Sequence, residues 1–198
     1  MQDNIRRIYD MHKDIIISNY LDCLTQSCNK IIHSDIINIY DLLIRTVDAD
    51  GKIFICGNGG SASTASHFQV DLNNAFSIVR YKRPVFCLTD NISTITAISN
   101  DYTYDDVFQR QLQYMLKEKD VLITISGSGN SKNVVKAAEY ARKKGNSVVA
   151  LLGLDGGKLK CIADYVLHVH VDNIQLSEDL HLIVGHLLSK MIRESCDN

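Results

Sequence analysis

Lys52-Ile-Phe-Ile-Cys-Gly-Asn-Gly-Gly-Ser-Ala-Ser-Thr-Ala-Ser-His67-Phe68 begins as a buried strand and then gives way at once to glycine, asparagine and small hydroxyl residues. The run Lys52–Cys56 has the unbroken apolar character of a strand covered on both faces. The small residues that follow open a helix over about Ser61–Asn73. Asp120-Val-Leu-Ile-Thr-Ile-Ser126 repeats the plan, and Gly127–Asn130 breaks it before a helix over Asn133–Lys144. Three more strands read out at Pro84–Leu88, Ser147–Leu152 and Asp164–Val171, with helices at Ser93–Ile98, Tyr104–Met115 and Ser177–Glu194. Strands alternating with helices specify a parallel sheet sheltered on both sides, an α/β sandwich of three layers.

Ahead of this pattern, residues 1–48 contain neither glycine nor proline. Their apolar residues recur at helical spacing, among them Ile5, Ile8, Ile15, Ile16, Ile36, Ile37, Ile39, Tyr40, Leu42 and Leu43, so two or three amphipathic helices are expected, with Ser34 capping one of them. The 198 residues, 45% hydrophobic and 22% charged, suit one domain: a helical segment over 1–48 and the sandwich over 49–198. A formal net charge of −2 supplies no overall basic field for nucleic acid. The apolar runs VLITI and SVVALLGL are too short for a membrane span, and the first twenty residues lack the order of a signal peptide, so a soluble cytoplasmic protein is expected. The six cysteines, at 23, 28, 56, 87, 161 and 196, form no CxxC pair, and reduced, mostly buried thiols are the expectation.

In a sheet of this kind ligands bind beyond the carboxyl ends of the strands. Two turns there are built alike, Cys56–Ser63 and Ser126–Ser131. Each leads into a helix N-terminus, where free amides and a positive dipole end meet serine hydroxyls, a neutral cradle for phosphate. Neither turn is a P-loop, since no Gly-Lys-Ser/Thr follows, and neither has the dinucleotide spacing Gly-x-Gly-x-x-Gly. With no lysine to reach a triphosphate, the expected anion is a monophosphate.

Ionisable residues collect on two helices. His67 and Asp71 stand four apart and share a face. Glu178, His181 and His186 lie on the last helix, where the two histidines are roughly 140° apart with Glu178 between them, so a single site takes Glu178 with one of them. His168 and His170 alternate on a strand and read as packed or surface residues. Tyr102, Tyr104, Asp105 and Asp106 fit equally the mouth of a site or a solvated helix start.

Taken together, GNGGSAxxAxHF after a strand, Ser-x-Ser-Gly-Asn-Ser before a helix, LxGxDGGK at Leu151–Lys158 and HLxxGH at His181–His186 resemble the sugar isomerase (SIS) domain family over nearly the whole chain. The resemblance implies the flavodoxin-like SIS fold and an aldose–ketose isomerase that converts sedoheptulose 7-phosphate to D-glycero-D-manno-heptose 7-phosphate through an enediol, in bacterial heptose biosynthesis. It also implies a homotetramer with active sites between subunits. Asn58, Gly59, Gly60 and Ser61 match a first substrate loop, and Asn100 with Asp101 a second. Ser126, Ser128 and Ser131 match phosphate-binding serines, and His67 and His186 match metal or acid/base positions.

Three positions depart from the family pattern. Asp71 stands where glutamate is usual, Glu178 where glutamine is usual, and Gly127 where threonine is usual. On this reading Asp71 is the base and His186 its acid/base partner, with Glu178 the alternative base. One zinc per site, held by His67, Asp71, Glu178 and His186, suits two imidazoles and two carboxylates. The competing expectations are an isomerase of another sugar phosphate and a non-catalytic SIS-family tetramer that senses a sugar phosphate or binds protein.

Overall fold

β1 (Ile53–Gly57), β2 (Val85–Cys87), β3 (Val121–Ser126), β4 (Ser147–Leu152) and β5 (Tyr165–His168) form one five-stranded sheet in the order β2-β1-β3-β4-β5. Every pairing is parallel. The chain steps outward from β1 to β2 and then crosses back to β3, so the order reverses between β1 and β3. At such a reversal the connections leave on opposite faces and open a crevice at the carboxyl ends of the strands. The two small-residue turns of the sequence leave β1 and β3, the strands that flank it.

The computed structural model describes residues 2–79 and 84–195, with side chains from His12 onward. The side chains of Ile5 and Ile8, and Cys196, lie outside the described residues. The helices are α1 (Gln2–Cys28), α2 (His33–Asp48), α3 (Gly60–Val79), α4 (Ile92–Asp101), α5 (Val107–Met115), α6 (Lys132–Lys143), α7 (Leu159–Ile162) and α8 (Ile174–Glu194). Alternation along the strands sends Ile53, Ile55, Ile123, Ile125, Val149 and Leu151 to one face, where α2, α3 and α8 cover them. Phe54, Cys56, Leu122, Val148, Ala150 and Leu152 face the other side, under α5, α6 and α7. Each of the valine, leucine, isoleucine and phenylalanine side chains contributes about 1.5–3 kcal/mol on burial, which explains why β1 and β3 read as continuous apolar runs. α1 lies against α8, and the Tyr20 hydroxyl donates to Asp179 at 2.7 Å.

At the opposite end of the strands, Asp120 acts as a brace rather than the first strand residue. Its carboxylate accepts the Lys52 and Lys117 amides, both at 2.7 Å, and the Asn146 amide group donates to the carbonyls of Lys117 and Asp120. Other expectations need correction. The N-terminal segment forms two helices, within the two or three expected, but Ile32 rather than Ser34 occupies the N-cap of α2, with Ser34 inside the first turn. The stretch expected as one helix from Tyr104 begins with a 3-10 turn over Tyr104–Asp106 before α5. β5 ends at His168, short of His170. Among the five described cysteines, all unpaired, only Cys56 is buried; α1 leaves Cys23 exposed, and α7 leaves Cys161 exposed. Burial raises the Cys56 and Cys87 thiols, Cys87 to about 11, which leaves both as inert thiols at neutral pH.

Candidate functional site

Beyond β1 the chain turns through Asn58 and Gly59, and the Gly59 carbonyl accepts the amides of Ala62 and Ser63 to begin α3. Ser61 is buried at this entrance. Asn58 does not face open solvent: it exchanges two amide hydrogen bonds with Asn133 of α6, at 2.8 and 2.9 Å, and accepts a third from the Tyr104 hydroxyl at 2.9 Å. The turns after β1 and β3 are thereby joined across the crevice.

The second turn is fastened from behind. Gly129 adopts φ +64°, and a Cβ there would lie 1.9 Å from the Gly156 carbonyl oxygen, so only glycine lets these two loops touch. The Gly129 carbonyl accepts the Leu159 amide, and the Asn130 side chain bonds both Ser128 O and Lys158 N. The LxGxDGGK segment therefore straps the serine loop in place. The Ser126 hydroxyl accepts the Gly129 amide at 3.1 Å, and the Ser128 hydroxyl accepts the Asn130 amide at 3.3 Å. Both hydroxyls act as acceptors within the loop and keep their protons to donate to an anion. Ser131 caps α6 without spending its hydroxyl on the helix, and Gly127 is buried under Ile174. Asn100 and Asp101, the last residues of α4, are exposed and bonded to each other at 3.0 Å. The 3-10 turn that follows them reaches Asn58 through Tyr104.

A second group of residues converges on the outer surface of α3 and α8. The helices run in the same direction, and the ring of Phe68 rests on the bare Cα of Gly185, where any Cβ would approach it to 3.2 Å. That close approach sets His186 beside His67. The two Nε2 atoms are 3.1 Å apart, and Asp71 Oδ2 lies 3.3 Å from His67 Nε2 and 3.7 Å from His186 Nε2. A tetrahedral zinc with bonds of about 2.0–2.1 Å has ligand-to-ligand edges of about 3.3–3.4 Å, so the three atoms are spaced as three corners of such a site. Three protein ligands with an open fourth position is the arrangement of a catalytic rather than a structural zinc.

Within one chain Glu178 does not join this group, so three of the four expected ligands converge. Eight positions before His186, it stands about 12 Å back along the helix, and its carboxylate packs on the bare Cα of Gly60 at the start of α3. It belongs instead to the rim of the first loop. His181 points the other way, into the protein. It is fully buried, neither ring nitrogen has a well-formed hydrogen bond, and burial pushes the imidazole down to about 4, with the nearby Leu152 carbonyl offsetting a little. His168 Nε2 donates to the Leu154 carbonyl at 2.9 Å, and its ring lies tilted against that of His170 with centroids 3.8 Å apart. Asn133 was the residue the sequence hid, since it reads as an ordinary first-turn helix residue; Tyr104, which fits equally a site mouth and a solvated helix start, reaches the crevice through its bond to Asn58.

Known proteins share this fold and much of this sequence. A family model described as the SIS domain matches residues 19–153. The chain is 38% identical over 192 residues to a phosphoheptose isomerase of Helicobacter pylori (strain P12), covering 97% of this chain and 95% of the relative. It is 41% identical to a probable phosphoheptose isomerase of Thermoplasma acidophilum, over 80% of this chain and 87% of the other. The solved phosphoheptose isomerase from Neisseria gonorrhoeae superposes with a TM-score of 0.84 at 31% identity, covering 91% of this chain and 97% of that one. The one from Francisella tularensis superposes at 0.86 with 30% identity, over 92% and 98%.

Proposed function

The chain belongs to the SIS domain family, and on that premise we propose that it is a phosphoheptose isomerase, an aldose–ketose isomerase that interconverts sedoheptulose 7-phosphate and D-glycero-D-manno-heptose 7-phosphate. The observation that carries the reading is the pairing of a neutral serine cradle at the β1/β3 crevice with a group of proton-transferring residues on α3 and α8. We read residues 1–198 as one SIS domain, located in the cytoplasm; among the described residues no helix is long and apolar enough to cross a membrane.

The hydroxyls of Ser126, Ser128 and Ser131 and the first amides of α6 hold the phosphate, with Ser61 at the start of α3 and the Gly127 backbone completing the cradle. Asn58, Gly59, Gly60, Asn100 and Asp101 line the path of the sugar. Binding energy at this unreacting end orients the carbonyl end. In the direction from ketose to aldose, Asp71 takes a proton from C1 while His186 donates a proton to O2, which gives the cis-enediol. Return of a proton to C2 and loss of the O1 proton give the aldose. Positioned groups of this kind contribute about 10²–10⁴-fold each. His67, Asp71 and His186 would hold a zinc ion, which when bound polarises the sugar carbonyl. Glu178, at the Gly60 rim, is the alternative base.

The two groups also argue for an assembly. Seven positions of α3, about 10 Å, separate Gly60 from His67, and the histidines are half exposed on the outer surface. A homotetramer with sites between subunits sets the cradle of one chain against the histidine face of another. α1 leaves Ile15, Ile16, Ile17 and Leu21 exposed, apolar surface that such an assembly would cover. Incubation with sedoheptulose 7-phosphate tests the activity: a new aldose phosphate supports the isomerase, turnover of another sugar phosphate alone shifts the substrate, and binding without turnover indicates a sensing module.

A further inference from the structure

We propose that Asn133 and Tyr104 are positioning residues that fix the Asn58 side chain so that it offers one N–H donor, and no acceptor, to the bound sugar phosphate. Asn133 is 2% exposed, so its amide cannot be satisfied by solvent. Its Oδ1 accepts the Val134 backbone amide at 3.0 Å. A backbone N–H can only donate, so this bond settles which end of the Asn133 amide is oxygen. The Asn133 Nδ2 then faces Asn58 Oδ1, and Asn58 Nδ2 faces Asn133 Oδ1, which settles Asn58 in turn. The Tyr104 hydroxyl, aimed at the same Asn58 oxygen, must donate.

An asparagine side chain offers two acceptor positions and two donors. Asn58 Oδ1 spends both acceptor positions, on Asn133 and Tyr104, and Nδ2 spends one donor on Asn133. One N–H is left without a partner among the described residues, held in direction at the crevice between β1 and β3. A donor with its acceptor already occupied favours a ligand oxygen with lone pairs to give, such as a carbonyl, a phosphate ester oxygen or a hydroxyl acting as acceptor. The 3-10 turn carrying Tyr104 is itself anchored, since Asp106 accepts Lys136 Nζ of α6 at 2.9 Å and the Thr103 hydroxyl at 2.7 Å. α6 thus holds Asn58 from two sides, once through Asn133 and once through the turn.

The inference rests on the sugar-phosphate reading, and calorimetric binding of sedoheptulose 7-phosphate, with inorganic phosphate as the truncated probe, tests it without requiring turnover. Asn133→Ala removes both bonds to Asn58 without adding a charge beside the phosphate cradle; Tyr104→Phe removes one bond to the same Asn58 oxygen. Each is expected to weaken sugar-phosphate binding about five- to tenfold, the worth of a misdirected neutral hydrogen bond, and to leave inorganic phosphate within about twofold. Because both act through Asn58, the double variant N58A/N133A is expected to bind no worse than N58A alone. Additive losses, or equal losses for sugar phosphate and inorganic phosphate, would reduce Asn133 to a structural residue and overturn the proposal. Wild-type affinity in all variants would also overturn it. Tight binding without isomerisation would sink the isomerase reading while leaving the positioning role standing; no binding of the sugar phosphate by the wild type would sink both.

Discussion

Three polar atoms, Nε2 of His67, Nε2 of His186 and Oδ2 of Asp71, meet on the surface of α3 and α8 because an i,i+4 pair on one helix faces a glycine-assisted contact on the next. Asp71 touches both imidazoles, which makes it the best-placed acceptor for a carbon-bound proton. Asp71→Asn is expected to lower kcat by about two orders of magnitude or more, with the fold unchanged; undiminished turnover would transfer the role to Glu178. Metal content belongs to the same three atoms. Untagged protein purified without chelator is expected to carry zinc in proportion to chain, and full activity with only traces of metal would remove zinc from the account.

His181 makes a different kind of residue-scale prediction. Its folded-state value, about 4, lies below the ordinary histidine value of 6.5, so the unfolded chain binds the extra proton first as pH falls. The stability this neutral imidazole permits is fully present above pH 6.5 and is lost progressively between 6.5 and 4, by about 3 kcal/mol in total. His181→Leu removes two unpartnered ring nitrogens from the core and is expected to flatten that part of the stability curve with little loss at neutral pH. Denaturant midpoints collected across this range check it; parallel curves for variant and wild type would show that the buried imidazole does not titrate as argued.

At the scale of elements, the loop after β3 owes its shape to a neighbour distant in sequence. Gly129→Ala would drive a Cβ into the Gly156 carbonyl and force a left-handed backbone on alanine, a cost of about 3 kcal/mol. The expected result is a lower melting temperature together with loss of phosphate binding; a variant that melts and binds like the wild type would mean the strap is not rigid. Most elements were legible in the sequence, because apolar runs and helical spacing report burial directly, and β4 was bounded to the residue; the four-residue α7, too short for a helical period, was not. Contacts between elements were not. The spacing of Glu178 and His186 placed them on one helix but could not show that α3 runs alongside α8, which sends the two to opposite ends of the groove. Asn133 carried no signal at all, since a buried reciprocal amide pair has no local pattern. Tyr104 fitted a site mouth and a solvated helix start equally, and only the fold brings its hydroxyl to Asn58.

For the whole molecule, the strand order decides what the two turns can do. Had β1 and β3 not been neighbours, the glycine-serine loops would have remained two separate caps; side by side at the reversal point they face one crevice. Alternating strands and helices revealed the sandwich, and the family motifs, more than any periodicity, tied the loops to sugar phosphates. The exposed isoleucines of α1 and the distance between cradle and histidines belong to this scale too. Sedimentation is expected to give a particle of four chains of 22.2 kDa, and a monomer active at assay concentration would contradict sites shared between subunits. The most direct measurement is NMR of sedoheptulose 7-phosphate incubated with the protein in D2O. The account predicts conversion to the aldose 7-phosphate through an enediol, with solvent deuterium appearing at C2 of the product; an unchanged ketose, with active protein of a known relative converting it in parallel, would contradict the account.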